Sequence, residues 1–193
     1  MKNILRPALV LFMALSAITG WLYPLAVTGV AQAAFPKQAN GSLIQGADGK
    51  PVGSALIGQA FADPKNFWGR PSATADKPYN AAASGGANQG PLNPALADAV
   101  RERVQALREA DPQQRAQVPV DLVTASASGL DPHISPAAAH WQIARVAKAR
   151  GVVPEALETL VQSHTEAPML GFLGEARVNV LELNMALNGA PMH

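Results

Sequence analysis

The stretch Pro7-Ala-Leu-Val-Leu-Phe-Met-Ala-Leu-Ser-Ala-Ile-Thr-Gly-Trp-Leu-Tyr-Pro-Leu-Ala-Val-Thr-Gly-Val30 decides how this chain is organised. It holds no charged residue, and the uncharged run continues to Pro36. About 20 predominantly apolar residues suffice to cross a hydrocarbon core of ~30 Å as a helix. At 1.5 Å per residue this segment would extend roughly 36 Å. Only Lys2 and Arg6 precede it, and short basic flanks stay on the cytoplasmic side. Residues 1–6 therefore read as a cytoplasmic N-terminus, 7–30 as a transmembrane helix, and 31–193 as a domain on the opposite side.

A cleaved secretory signal is the competing reading, because Ala31-Gln32-Ala33 has the small-x-small form of a cleavage site. Two features favour a retained anchor. A signal's apolar region is only about 7–15 residues long, and Trp21 and Tyr23 sit where interfacial aromatic rings anchor a span. Pro24 is expected to end or kink the helix, since it lacks an N–H and clashes with the preceding turn. Ser16, Thr19 and Gly20 are small or hydroxylated, which allows another helix to approach closely in lipid.

The residues beyond the span number about 160, enough for one domain with its own core. They hold all fourteen acidic residues and thirteen of the fifteen basic ones, a formal charge of −1. Such a domain lacks the clustered Lys and Arg that nucleic-acid binding requires. Cysteine is absent, which excludes thiol catalysis, disulfides and cysteine-ligated metals. With few aromatics and abundant Ala, Gly and Pro, the composition is that of a loop-rich domain of modest stability when isolated.

Residues 38–61 read as β structure, with Ser42-Leu-Ile-Gln45 and Ser54-Ala-Leu-Ile-Gly58 flanking the turn residues Asp48-Gly49. Residues 63–93 are rich in Gly, Pro, Asn and Ser and have no hydrophobic period. A loop of ~30 residues is too long for a mere connector. Asn93 as cap and Pro94 in the first turn then open a helix striped by Leu96, Val100, Val104 and Leu107. Val118, Val120 and Leu122 alternate with Pro119 and Asp121, the pattern of an edge strand. Ser135 caps a helix running to Arg150-Gly151. Another spans about 154–163, and a last helical run covers about 174–187. The fold class is α+β: a single N-terminal transmembrane helix followed by one α+β domain.

Two polar stretches carry whatever chemistry the domain has. In residues 124–135, Ser126, Ser128, Asp131 and His133 lie between a strand and a helix start. A Ser/His/Asp set tempts a hydrolase reading, but triads assemble from distant segments around a nucleophile at a defined turn. A loop whose side chains bond its own backbone and cap the next helix is the simpler reading. In residues 82–91, Ser84, Gly85, Gly86 and Gln89 form a glycine-rich stretch able to approach a phosphate. The G-x-x-x-x-G-K-[ST] pattern is missing, which favours a partner-docking loop. His133, His140, His164 and His193 show no metal-ligand spacing.

Several blocks, in order over nearly the whole chain, resemble the C subunit of the Kdp potassium-transporting ATPase. They are Arg6-Pro7, Gly20-x-x-Tyr23-Pro24-Leu25, Phe35-Pro36-x-Gln38-Ala39-Asn40-Gly41-Ser42, and Gly58-Gln59-x-Phe61 with Phe67-Trp68-Gly69-Arg70-Pro71-Ser72. Further on come Ser84-Gly85-Gly86-x-Asn88, Ser128-Gly129-Leu130-Asp131-Pro132-His133-Ile134-Ser135 and Arg177-Val178-Asn179-Val180-Leu181-Glu182-Leu183-Asn184. Ala87 stands where the family's glycine stretch has a serine.

The resemblance implies an accessory, non-hydrolytic subunit of a high-affinity potassium importer in the bacterial inner membrane, with the main domain periplasmic. Its implied partners are a channel-like potassium-binding subunit, a P-type ATP-hydrolysing subunit and a small single-span subunit. ATP and potassium would be ligands of the complex, with no cofactor bound directly by this chain. The family's C subunit acts as a catalytic chaperone raising ATP affinity, and its glycine segment is likened to the signature motif of ABC transporters, here Ser84, Gly85, Gly86 and Gln89. The topology places that segment opposite to cytoplasmic ATP, so the resemblance and the charge asymmetry together imply indirect coupling. The alternative is a free-standing, membrane-anchored envelope binding protein or hydrolase.

Overall fold

The uncharged stretch, with Leu5 and Arg6 before it, forms an unbroken helical segment from Leu5 to Ala34, apolar and long enough to cross a membrane. The computed structural model describes residues 4–46 and 48–189; Lys2 and His193, used in the sequence reading, lie outside the described residues. The chain divides into two compact units, Met1–Leu43 and Ile44–His193. It is α+β, as the sequence implies.

In the first unit α1 (Leu5–Ala17) passes through a π-helical turn, Ile18–Leu22, into α2 (Tyr23–Ala34). The helix does not end at Pro24. The Tyr23 N–H reaches back five residues to the Ile18 carbonyl, and this wider turn just before the proline relieves the crowding its ring brings to a tight helix. Pro24 sits in the first turn of α2, where no N–H is needed. A short α3 (Pro36–Ala39) follows, and the amides of Gln32 and Asn40 exchange hydrogen bonds of 3.1 and 3.3 Å across it.

The second unit, from Ile44, takes in most of β1 (Leu43–Gln45), which pairs with β2 (Pro51–Ser54). The expected hairpin is present, but its second strand lies earlier than residues 54–58. Gly46 N–H bonds the Lys50 carbonyl at 2.9 Å and Asp48 Oδ1 accepts from Lys50 N–H at 3.1 Å, so the tight turn restarts pairing at Pro51. Helix α4 (Pro94–Ala110) begins as expected, with Asn93 Oδ1 accepting from Ala95 N–H at 3.0 Å. Leu107 is the buried end of its stripe.

Residues 118–122 are not a strand. A 3-10 turn covers Val120–Leu122, because Asp121 is claimed by the start of the next helix. Its carboxylate accepts from Ser135 N–H at 2.6 Å and from the Ser135 hydroxyl at 3.2 Å. After β3 (His133–Ile134) come α5 (Pro136–Arg150), α6 (Pro154–Ser163), β4 (Thr165–Glu166), β5 (Arg177–Asn179) and α7 (Val180–Leu187). Ser135 caps α5 through Ala138 N–H, and Gly151 ends it at φ +69°.

The last helical run is corrected at its start, where β5 lies central in an antiparallel sheet of order β3-β5-β4. Ile134 and Thr165 flank Val178, and the fully buried Val178 sends its side chain into the core. Asn179 then accepts from the Leu181 and Glu182 N–H groups and so starts α7 two residues after the strand's centre. Val146, Val161, Val178 and Leu183 meet in the core with Phe67 and Trp141.

The irregular 63–93 segment enters that core through side-chain amides acting as a substitute strand. The buried Asn184 accepts from Phe67 N–H at 2.8 Å and donates to its carbonyl at 2.9 Å. Gln142 does the same for Trp68 at 2.8 and 3.1 Å. The buried Arg145 donates to the carbonyls of Pro64 and Asn66, and its guanidinium lies 3.8 Å over the Trp68 ring. Every backbone polar group of this buried stretch needs a partner, and these side chains supply them where no strand does. Arg70, two residues on, is thereby held in place.

Candidate functional site

The two polar stretches singled out in the sequence come together. The Ser128 carbonyl accepts both the Ser84 hydroxyl at 3.0 Å and the Gly85 N–H at 2.9 Å. A Cβ on Gly86 would lie 2.8 Å from the Ala127 oxygen. Gly129, at φ +67°, has no room either: its Cβ would lie 2.7 Å from Thr74 Cγ2 and 2.8 Å from the Gly85 oxygen. Glycines 86 and 129 are needed because backbone packs on backbone here. Gln89 borders an open cleft of about 630 Å³ with Gly86, Asn88, Arg103, Thr124 and Ser126.

The hydroxyls of Ser126 and Ser128 bond the backbone of their own loop. Ser126 Oγ accepts from Gly129 N–H at 3.0 Å, and Ser128 Oγ from Leu130 N–H at 3.1 Å. Asp131 Oδ1 accepts from His133 N–H at 3.0 Å and lies 3.3 Å from His133 Nδ1. Its other oxygen meets Arg70 Nη1 at 3.2 Å. Burial pushes the Asp131 carboxyl up, but the hydrogen bonds from the His133 ring and backbone and the Arg70 charge outweigh it and hold it below the usual range. Asp131 is therefore a fixed carboxylate joining Arg70 to His133, while each loop serine is spent on a carbonyl or an N–H.

Sequence reasoning missed the hub that ties the second stretch to residues 69–79. The Tyr79 hydroxyl donates to the Arg70 carbonyl at 2.6 Å, and Tyr79 N–H donates to Ser72 Oγ at 2.9 Å. Ser72 in turn donates to the Gly129 carbonyl at 2.7 Å. The ring lies against Gly58 and Gly69, where added Cβ atoms would fall 2.3 Å from Tyr79 Cε1 and 2.7 Å from its hydroxyl. Tyr79 itself has φ +57°. Burial, reinforced by the Asp131 charge and opposed by Arg70, pushes its hydroxyl up to about 12. The available signals were Gly58, Gly69 and Arg70 within two of the quoted blocks; nothing marked Tyr79.

A second open cleft, of about 720 Å³, is lined by Arg70, Asp131 and His133 together with Asp121, Glu175 and Arg177. The geometry presents paired charges and hydrogen-bonding edges fixed on a stiff backbone. That suits recognition of another surface. In the N-terminal helix, Thr19 lies in the π turn with its hydroxyl on the Leu15 carbonyl at 2.8 Å. Ser16 borders a shallow groove with Met13, Ala17 and Trp21, and a Cβ on Gly20 would meet nothing within 4 Å.

Residues 5–189 match the family described as K+-transporting ATPase, c chain. Among curated relatives, the potassium-transporting ATPase KdpC subunit of Variovorax paradoxus (strain S110) is 69% identical over 191 residues, covering 98% of both chains. That of Polaromonas naphthalenivorans (strain CJ2) is 69% identical over 188 residues, covering 97% of this chain and 95% of the relative. That of Dechloromonas aromatica (strain RCB) is 61% identical over 188 residues, covering 97% and 98%.

Proposed function

From the chain's place in the KdpC family, to which it belongs as a subunit of a potassium-transporting ATPase, we propose that it is an accessory, non-hydrolytic member of the complex. It stabilises assembly and raises the ATP affinity of a P-type subunit that hydrolyses ATP. Its further partners are a channel-like subunit that binds potassium and a small single-span subunit. The apolar helix anchors it in the inner membrane with the N-terminus cytoplasmic and the domain periplasmic, so its influence on ATP is a coupling between separate sites. The free-standing hydrolase or binding protein is not favoured.

The observation that carries this reading is the joint use of the Ser128 carbonyl by Ser84 and Gly85. It makes the glycine stretch and the Asp131 loop one continuous surface, beside which the Arg70–Asp131–His133 charges line an open cleft. The test is reconstitution of the ATPase with and without this chain, followed by ATP and potassium titrations. Ser84→Ala and Gln89→Ala are expected to shift a half-saturating concentration, or assembly, by about two- to tenfold. That range corresponds to a hydrogen bond of roughly 0.5–1.5 kcal/mol. A turnover loss of several thousandfold in an assembled complex would place these residues in the reaction and end the accessory reading. Orientation is tested separately by a reporter active only in the periplasm, fused after His193.

A further inference from the structure

Between β4 and β5 the chain makes a hairpin whose tip is left exposed by the described residues of the second unit. Its base is tied by Arg177 Nε donating to Glu166 Oε2 at 2.8 Å. Its tip is closed by Met169 N–H to the Leu173 carbonyl at 3.0 Å and Leu173 N–H to the Met169 carbonyl at 2.9 Å. Met169, Leu170, Phe172 and Leu173 are 68, 78, 73 and 47% exposed. This is a contiguous cluster of large apolar side chains held on a hydrogen-bonded turn, and exposed clusters of this kind mark interaction sites.

Leu170 adds an independent observation. It stands at φ +56° beside Gly171 at φ +81°. The left-handed region suits Gly or Asn and penalises other residues. A leucine there is strained, and its exposed side chain recovers little of that strain from packing within the unit. Observed strain of this sort is evidence for function at that position.

The charges select the occupant. Residues 167–176 contain one charged residue, Glu175, and no Lys or Arg. Arg177, the nearest cation in sequence, is engaged by Glu166. A tip that docks on an anionic bilayer combines apolar side chains with basic ones, and here the acid would be repelled. A tip-to-tip contact with a second copy would bring two Glu175 side chains together. We propose that the 168–174 tip inserts into an apolar pocket with a basic rim on a neighbouring subunit of the transport ATPase. This rests on the reading of the chain as an assembled subunit.

The test uses the full chain co-expressed with the other subunits. A photo-crosslinking benzoylphenylalanine in place of Phe172 is expected to capture another polypeptide of the purified ATPase. Capture of lipid or of a second copy of this chain overturns the proposal. Leu170→Gly relieves the backbone while removing an anchor, so it is expected to leave the melting temperature unchanged or raised. The amount of partner subunits retained should fall at least fivefold, and Phe172→Glu should do the same. If both variants retain partners as the unaltered chain does, the tip is not an anchor. If the unaltered chain retains none, the assembled-subunit reading fails first and this proposal falls with it.

Discussion

Replacing Gly129 by alanine tests the convergence of the two polar loops through two separable costs. The first is conformational: φ is +67°, and an L side chain in the left-handed region costs about 1–2 kcal/mol. The second is steric. The new methyl would fall 2.7 Å from Thr74 Cγ2 and 2.8 Å from the Gly85 oxygen. The carbonyl belongs to a backbone already tied to Ser128, so it cannot simply yield. Overpacking of this kind costs roughly 1–3 kcal/mol, giving a total of about 2–5 kcal/mol from the two terms.

Two further glycines isolate the terms. Gly151 has φ +69° and open space around its would-be Cβ, so Gly151→Ala carries the conformational cost alone. Gly90 has neither a positive φ nor a neighbour within 4 Å, so Gly90→Ala should be neutral or slightly stabilising. Thermal unfolding of the full chain in detergent reads the series. At roughly 2–4 °C per kcal/mol for a domain of about this size, Gly129→Ala should lower the midpoint by about 4–20 °C, and Gly151→Ala by about 2–8 °C. Equal shifts for these two variants would refute the argument, because they would mean that the loops separate at no cost.

Other outcomes follow from the same geometry. Asp131, held below its ordinary range, contributes stability that is complete above a pH of about 4 and is lost as the pH falls through its lowered value; Asp131→Asn should lower stability at neutral pH and flatten that acid loss in a pH-resolved melt. Tyr79, pushed up to about 12, contributes stability present below pH about 10 and lost as the pH rises toward 12; Tyr79→Phe should remove this alkaline dependence. Gly20→Leu fills open space beside the π turn and should weaken co-purification with a neighbouring membrane subunit, whereas unchanged recovery means that the face meets lipid. If the chain raises ATP affinity by some factor, linkage requires ATP to tighten the chain's own binding by that same factor, which a binding titration with and without a non-hydrolysable analogue measures.

What could be read from the chain was set by how local the determining physics is. Residues 7–30 announce one continuous apolar helix, long enough to cross a membrane, because length and absence of charge suffice. Asn93-Pro94 and Ser135-Pro136 announce helix starts because a cap acts within three residues. Residues 118–122 misled because their alternation is genuine, yet Asp121 is bound to Ser135, fourteen positions away. Residues 177–179 misled because β5 exists only between β3 and β4, which flank it in space but lie about 45 and 12 residues earlier in the chain. The polar stretches 84–89 and 126–133 were each visible as unusual composition. Their meeting was not, since it depends on one carbonyl, at Ser128, and on glycines that permit contact without marking what they touch.

Tyr79 shows why the hub stayed hidden. A tyrosine in a Pro-, Gly- and Asn-rich loop reads as an ordinary surface residue, and its positive φ has no signature in composition. Its role is set by two glycines at positions 58 and 69 that make room for the ring, and by Ser72 and Arg70, which take its N–H and hydroxyl. The backbone leading to Arg70 is in turn held where Asn184 and Gln142 bond Phe67 and Trp68. Those amides sit on α7 and α5, far along the chain. The surface offered by the two loops is therefore assembled from the core outward. It follows that Asn184→Leu, although remote from both loops, should disturb them more than a surface substitution such as Gln89→Ala, because it leaves the Phe67 N–H and carbonyl buried without partners, at a cost of about 1–3 kcal/mol for each.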